Sequence, residues 1–446
     1  MPRWATKELT GWGRICRATA QVARPERLAD LNGILSDAAG ETLLAHGAGR
    51  SYGDAAINSN GHSVLMRRLD RFLDFDPTSG RLVVEVGATF ADVITTFLPK
   101  GYMLPVAPGT GFATLGGGIA NDVHGKNHHQ AGSLGHHIAW FDLRLPGGEV
   151  RRVSLVDQSA LFKSTLGGIG LTGIIERLCL HLKPVPSNAV LVRKRRIRDL
   201  DKYLEAFAEE QDRAEYVVGW IDALAKGPQL GRGILEAASP SPVGLQMRQA
   251  RARRIPFDFP DFVLNSATVR LFNAAYYQRI PAGGTEQCMS YPAFLFPLDA
   301  IHDWNRIYGR RGFHQFQCVV PFESGRSAIL QLIDFISKTG NASFLAVLKA
   351  MGRAGLGYLS FPHPGYTLAL DFPNAPGALE VIATLERITC DHGGRIYLAK
   401  DSTLNPSNLE RMYPGLGAFR EVLAEIDTDG RMQSDMARRL GIRGGW

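Results

Sequence analysis

Residues 47–54, GAGRSYGD, and residues 108–120, PGTGFATLGGGIA, decide how this chain reads. The first stretch carries Gly47, Gly49 and Gly53 directly after TLLAH (42–46), a short apolar run expected to be a buried strand. Glycine reaches positive φ without steric cost, so successive N–H groups at such a turn can converge on phosphate oxygens. The second stretch supplies another such turn, with Gly109, Gly111, Gly116, Gly117 and Gly118 interleaved with the hydroxyls of Thr110 and Thr114. Either turn alone could be a tight strand connection. Two of them in one domain are what a pyrophosphate gripped from both sides needs. Neither opens a βαβ helix with GxGxxG, and no GK[ST] ends a loop, which counts against NAD and against nucleoside triphosphate hydrolysis.

Working outward, Leu28, Leu31, Ile34 and Leu35 recur at helical spacing over residues 26–38. RLVVEVG (81–87) reads as a strand, FADVITTFL (90–98) as a helix, and YMLPVAPG as an extended, proline-marked connection. LTGIIERLCLHLKP ends at Pro184, where the polar stretch VPSNA predicts a domain exit. Beyond it, YVVGWIDA, HQFQCVVPF and YTLALDFP alternate as a sheet does when one face covers a pocket. A helical run, ALEVIATLERITCDHGG, precedes RIYLAKDS, and the tail holds helical AFREVLAEID and SDMARRLGI. The expectation is an α+β protein of two domains: residues 1–184, an inserted domain over 185–394, and a segment over 395–446 that returns to the first.

With 446 residues, 45% hydrophobic and 21% charged, the chain suits two globular domains and not a disordered protein. No apolar run long enough to span a bilayer appears, and MPRWATKELTGWGRIC has no apolar leader core, so a cytoplasmic location is expected. Cys16, Cys179, Cys288, Cys318 and Cys390 lack CxxC or CxxH spacing and are read as reduced. The net charge of +7 draws on Arg193 to Arg196 and on Arg248 to Arg254, which suits an anionic partner. No helix-turn-helix, RRM or finger pattern accompanies that charge, so nucleic acid is not expected. Phe257, Phe259, Phe262, Val263 and Leu264 follow the second cluster, a composition suited to touching anionic lipid.

A third glycine-rich piece, LGGIGLTGIIERL, precedes a β-branched strand. In this order the three pieces resemble the FAD-binding domain of the vanillyl-alcohol oxidase (p-cresol methylhydroxylase) superfamily. The resemblance extends along nearly the whole chain: GWGR, GRSYGD, VHGKNHH, GLTGII, Trp304-Asn305-Arg306-Ile307-Tyr308-Gly309, YLAKDS and SDMARRL. That set resembles the decaprenylphosphoryl-β-D-ribose 2-oxidases, flavin components of an epimerase that makes a polyprenyl-phosphate arabinose donor.

The resemblance implies FAD against the end of the first strand and its loop: Ala45, His46, Gly47, Ala48, Gly49, Arg50, Ser51, Tyr52, Gly53 and Asp54. It adds Gly109, Thr110, Thr114, Leu115, Gly116 and Gly117 from the second loop, with His124, Ile175 and Tyr397. Many members link the flavin to a histidine in the first loop. Arg50 stands there, which implies non-covalent FAD and offers charge-assisted donors near the pyrophosphate. Lys400 and His124 are the implied catalytic residues, since a cation there can stabilise developing negative charge and hydrogen-bond a sugar hydroxyl. Lys126, Trp220, Tyr276, Gln315, Gln317, Lys349, Thr367 and Ala369, with Lys400, match substrate-pocket positions. The family has an asparagine and a cysteine in a P-G-W-N-x-C strand where this chain has Thr367 and Ala369. The implied partners are a polyprenyl-phosphate sugar and a separate short-chain dehydrogenase that reduces the keto product. The histidines at 124, 128, 129, 136 and 137 fit no metalloprotease spacing and lack carboxylate companions, so no metal is expected and the last four are read as hydrogen-bonded loop residues.

Overall fold

The computed structural model describes residues 4–246, 253–341 and 344–443. The first half builds two small sheets around one core. Ala5–Thr10, Arg17–Ala23, His62–Leu65 and Leu43–His46 form a mixed four-stranded sheet. Phe72–Asp76, Arg81–Glu85, Ile174–His181, Ile138–Arg144 and Val150–Val153 form an antiparallel five-stranded one. The helices foreseen at 26–38 and 90–98 are Asp30–Asp37 and Phe90–Phe97. The second starts sharply because Thr89 and Asp92 cap each other's backbone N–H groups. Leu31, Ile34, Val93, Ile94 and Phe97 bury their stripes in the core of this half.

The rest of the chain centres on an eight-stranded sheet. Its strands in chain order are β1 (Ala189–Ile197), β2 (Tyr216–Ile221), β3 (Gly233–Pro240), β4 (Thr285–Ser290), β5 (Phe313–Val320), β6 (Ala346–Met351), β7 (Gly365–Pro373) and β8 (Arg395–Ile396). Their order across the sheet is β4-β1-β3-β2-β6-β7-β5-β8. Strand side chains alternate between faces, and here the alternation separates two tasks. Val217, Leu235, Phe316, Cys318, Leu348, Leu368 and Leu370 point to the side covered by helices Leu200–Glu210, Phe322–Thr339 and Ala378–Asp391. Their neighbours Trp220, Glu236, Gln315, Gln317, Lys349, Thr367 and Ala369 point the other way, into a cavity against the first half.

Strand Lys183–Pro184 pairs with Tyr102–Met103, and β1 begins five residues after Pro184, at Ala189. The C-terminal segment serves both halves. β8 closes the large sheet on β5, and Leu409, Leu416, Phe419, Met436 and Leu440 join the core behind that sheet. Met432 bridges to Leu43, and Asp435 binds Ser59 through backbone and hydroxyl. Arg439 clamps Asp54 and Asp401 together at 2.8 and 2.9 Å. At Gly53 a Cβ would collide with the Asp401 carbonyl oxygen, so only glycine lets the two segments close.

Candidate active site

The cavity holds about 760 Å³ and lies between the cavity face of the large sheet, both glycine loops and the returning residues 397–400. Ala45, Gly47, Ala48, Gly49, Arg50, Ser51 and Tyr52 line it from the first loop, Gly109, Thr110, Thr114, Gly116 and Gly117 from the second, with Ile175 beside them. His124, Lys126, Trp220, Tyr276, Gln315, Gln317, Lys349, Thr367, Ala369, Tyr397 and Lys400 complete the walls foreseen from sequence.

Four expected cofactor residues stand behind the wall. The His46 ring bonds the Ala56 carbonyl at 2.9 Å, because strand alternation turns it away from Ala45. Leu115 is fully buried in the core, as the first apolar residue of helix Leu115–Ala120. Gly53 faces Asp401, and Asp54 is held by Arg439. These four support the loops instead of lining the cavity.

The loop end fits a nucleotide pyrophosphate. Gly109 has open space where a Cβ would stand, and Gly49 adopts φ +61°. Thr114 Oγ1 accepts from Gly117 N–H at 3.1 Å, and a Cβ on Gly47 would strike that same oxygen. The Arg50 guanidinium lies 4.1 Å from the Trp12 ring centroid and 5.1 Å from that of Phe112. Its Nε is buried and has no hydrogen-bond partner among the described residues, an orphaned donor suited to a phosphate oxygen. Asp299 fixes the second loop from the other half, accepting from Thr110 Oγ1 and Gly111 N–H, both at 2.7 Å. Asp299 belongs to no recognisable motif, and Trp12, although part of GWGR, was given no place at the site from sequence. Asn305 donates to the Trp12 carbonyl at 3.0 Å, which gives the W-N-R stretch its place.

At the other end, His124 sits between the sheet and the returning segment, its ring centroid 5.5 Å from Tyr397 and 5.7 Å from Phe361. One ring nitrogen meets Gln317 Nε2 at 3.1 Å and the other meets Lys349 Nζ at 3.1 Å. Gln317 also donates to Thr367 Oγ1 at 3.2 Å. Burial, followed by the charges of Lys349, His128 and Lys400, holds His124 well below the usual imidazole range, so it is neutral at pH 7. Lys349 is pushed down to about 7 by burial, helped by Lys126 and Lys400. Lys400 is pushed down to about 7 by burial, against the opposing charge of Asp371. Both lysines line the cavity. The Lys400 Nζ stands 3.8 Å from the Tyr52 ring centroid. Behind it Asp371, fully buried, accepts from Gln315 at 2.5 Å and from the Tyr308 hydroxyl at 2.9 Å. Burial raises its carboxyl to about 7.

The remaining loop histidines hold backbone. His128 accepts from Gly352 N–H, His129 bonds the Ala214 carbonyl, His137 bonds that of Ala131, and His136 contacts Ser133. Among the described residues no group of three or more His, Cys, Asp and Glu side chains is placed to hold a metal ion. Of the basic run at 193–196, Arg193 and Arg195 pair with Glu210 and Glu209, and Arg196 bonds Gln278, while Lys194 faces the cavity. A period-two reading of that run as a strand puts Lys194 and Arg196 on the face of the apolar Val190 and Val192, apart from Arg193 and Arg195. Arg248 and Arg251 lie outside the described residues; Arg254 pairs with Asp303 at 2.6 Å.

A family model described as an FAD binding domain matches residues 19–154. The chain is 34% identical to the decaprenylphosphoryl-beta-D-ribose oxidase of Mycolicibacterium smegmatis, over 98% of either chain. It is 33% identical to an uncharacterized protein of the mprA 5′ region of Streptomyces coelicolor, covering 77% of this chain and 97% of that one. A D-lactate dehydrogenase of Anaerostipes hadrus is 23% identical over 31% of this chain and 30% of its own. With two glycine loops facing an orphaned arginine donor, and a likeness running end to end, the chain is an FAD-dependent oxidoreductase that belongs to the decaprenylphosphoryl-β-D-ribose oxidase family.

Proposed function

We propose that the chain oxidises the 2-hydroxyl of a polyprenylphosphoryl-β-D-ribose-like sugar to a 2-keto sugar, the first half of an epimerisation. The observation that carries this reading is the His124, Gln317, Lys349 and Lys400 cluster at one end of the cavity whose other end is the glycine cradle. FAD, bound without a covalent link, supplies the hydride acceptor. Arg50, Thr110, Thr114 and the loop N–H groups would hold its pyrophosphate, with Ala45, Ile175 and Tyr397 against its rings. Residues 1–184 with 395–446 form the cofactor part in this reading, and 185–394 the substrate part.

Gln317, Thr367 and Lys349 offer the hydrogen bonds that fix a sugar's hydroxyls. The hydroxyl proton goes to the neutral amine of Lys349, which as an ammonium is held by the Gly125 carbonyl at 3.4 Å and by His124. Neutral His124 is the fixed polar partner of that amine. Lys400 keeps its proton and stabilises negative charge that develops opposite it. The keto product leaves to a separate short-chain dehydrogenase.

A lipid-linked substrate calls for contact with a bilayer. No helix among the described residues is long and apolar enough to cross a membrane. Phe257, Phe262 and Leu271 are 62, 76 and 73% exposed, and with Arg253 and Arg254 they are the proposed peripheral contact on the cytoplasmic face. The test of the activity is anaerobic loss of flavin absorbance on mixing with polyprenylphosphoryl ribose, free pentoses, aldonolactones or alditols. Rapid bleaching by the lipid-linked sugar alone supports the reading. Bleaching by free sugars or alditols instead makes the chain an oxidase of soluble sugars, and no bleaching by any of them leaves a flavin-binding protein without turnover.

A further inference from the structure

The cavity face of the large sheet carries a second charged cluster, apart from the residues around His124. Lys194 on β1, Glu236 on β3 and Val218 on β2 are direct cross-strand neighbours. Lys194 Nζ donates to Glu236 Oε1 at 2.6 Å, with both side chains largely buried. From the opposite wall Lys126 donates to the Phe294 carbonyl at 2.6 Å and stands 4.1 Å from that residue's ring centroid. The Arg279 guanidinium lies 3.6 Å from the Tyr276 ring centroid. All four charged groups line the one cavity. The Glu236 carboxyl, although buried, stays below the usual carboxylate range because Lys126, Lys194 and Arg279 all act on it. Burial pushes the Lys126 ammonium down to about 8, with Glu236 opposing the fall and Lys194 adding to it.

Three cations and one carboxylate leave this corner of the cavity with a surplus of two positive charges, with Lys126, Lys194 and Glu236 largely buried and Arg279 exposed to solvent. The buried groups alone carry one uncompensated positive charge, which is costly until an anion enters. The position fits a particular anion. Gly219 pairs with Leu348, which sets Lys349 beside Val218 and two strand spacings, about 10 Å, from Glu236. Lys126 bridges the gap from above, two residues along from His124. A sugar held by its 2-hydroxyl at Lys349 carries its 1-substituent on the adjacent carbon, within reach of the Lys126 ammonium. Beyond the cations the wall turns apolar, through Met289, Ala293 and Leu295.

We propose that Lys126, Lys194 and Arg279 form the subsite for the phosphodiester that joins the sugar to its lipid, with Glu236 as the counter-ion that orders Lys194 until the anion arrives. The lipid's first isoprene unit then runs along Met289, Ala293 and Leu295. The assignment deepens the proposed function and rests on its reading of the substrate as a phosphoryl sugar.

The test uses holoenzyme carrying Lys194→Met or Arg279→Met, each first shown to keep its flavin absorbance and melting temperature. Two substrates are compared: a short-chain prenylphosphoryl-β-D-ribose, and a prenyl β-D-riboside in which a neutral ether replaces the phosphodiester. Losing one charge-assisted contact should lower the ratio of kcat/KM for the phosphoryl over the neutral substrate by about tenfold to a hundredfold, chiefly through KM. An equal loss on both substrates, or no loss on the phosphoryl one, overturns the assignment. A second reading uses prenyl monophosphate, which has no sugar to oxidise. Calorimetry should show it binding wild-type holoenzyme and binding either variant at least about tenfold more weakly. If prenyl monophosphate binds with that sensitivity while phosphoryl ribose bleaches no flavin, the substrate reading fails and the anion subsite stands. If phosphoryl ribose is oxidised while neither variant weakens the monophosphate, the subsite fails and the activity stands.

Discussion

Replacing Arg439 by methionine tests how the returning segment holds the site. Its guanidinium donates to both oxygens of Asp54 at 2.8 Å, to Asp401 Oδ2 at 2.9 Å and to the Leu404 carbonyl at 2.6 Å. The Asp54 and Asp401 side chains are only 9 and 1% exposed, so methionine leaves two carboxylates facing each other with little water. Breaking a fully buried pair costs about 3–5 kcal/mol, and because the arginine is a quarter exposed we expect the lower end, about 3 kcal/mol. Methionine returns part of the packing of the aliphatic stem, so the loss is one of charge. Asp401 also accepts from Thr403 and Leu404 N–H, and its own N–H bonds the Tyr397 carbonyl, so the strain reaches Lys400 directly. Urea unfolding of holoenzyme should show an earlier midpoint with an unchanged slope, and kcat should fall as well. Adding Asp54→Asn should recover part of the stability. Lys338→Met, which breaks an exposed helical pair with Asp334, should change stability by under about 0.5 kcal/mol. A loss below about 1 kcal/mol at Arg439, or a double variant weaker than the single, would refute the reasoning.

Acid precipitation of purified protein should leave all flavin in the supernatant, since arginine at position 50 cannot form the histidyl link; yellow pellets would contradict this. Lys400→Ala should retain FAD yet slow anaerobic bleaching by about 100-fold or more, the scale of one lost stabilising donor, and near-normal bleaching would rule the role out. The kcat/KM profile should be bell-shaped around pH 7, rising as Lys349 loses its proton and falling as Lys400 loses its own. Lys349→Met should abolish the rising limb alone, and a profile unaltered by that change would show that another group takes the proton. Phe262→Ser with Leu271→Ser should reduce binding to anionic liposomes without lowering turnover of a short-chain substrate, and unchanged sedimentation with vesicles would remove the patch from consideration.

The features legible in the sequence were those tied to one residue type at a fixed spacing. The clustered glycines and hydroxyls announce a cradle, and the structure places Gly47, Gly49, Gly109, Thr110 and Thr114 on one cavity, with Gly49 at positive φ and no room for a Cβ at Gly47. HQFQCVVPF alternates, and the structure puts Phe316 and Cys318 in the core and Gln315 and Gln317, which the family resemblance pointed to, on the cavity. Contacts made by tertiary closure were not legible. His46 and Leu115 lie inside the motifs but turn inward, a choice made by packing and not by the glycines beside them. Asp299, Asp371 and Glu236 are single carboxylates whose meaning comes from partners far along the chain. The tail was expected to rejoin the first half; it also supplies an edge strand to the large sheet through just two residues, too short a run for any period to show.

That two-residue edge strand and the residues after it set a timetable for synthesis. Tyr397 meets Gln317 from about 80 residues further along the chain, Lys400 and Asp401 meet Tyr52 and Gly53 from about 350 residues further along, and Arg439 locks them only about 40 residues later. On the ribosome the first glycine loop is made well before the wall that closes over it. Contacts so distant in sequence are slow to close. A chain that has not yet made Tyr397 to Arg439 therefore has the first glycine loop without the wall that Tyr52 and Gly53 meet, and without part of the core behind the large sheet.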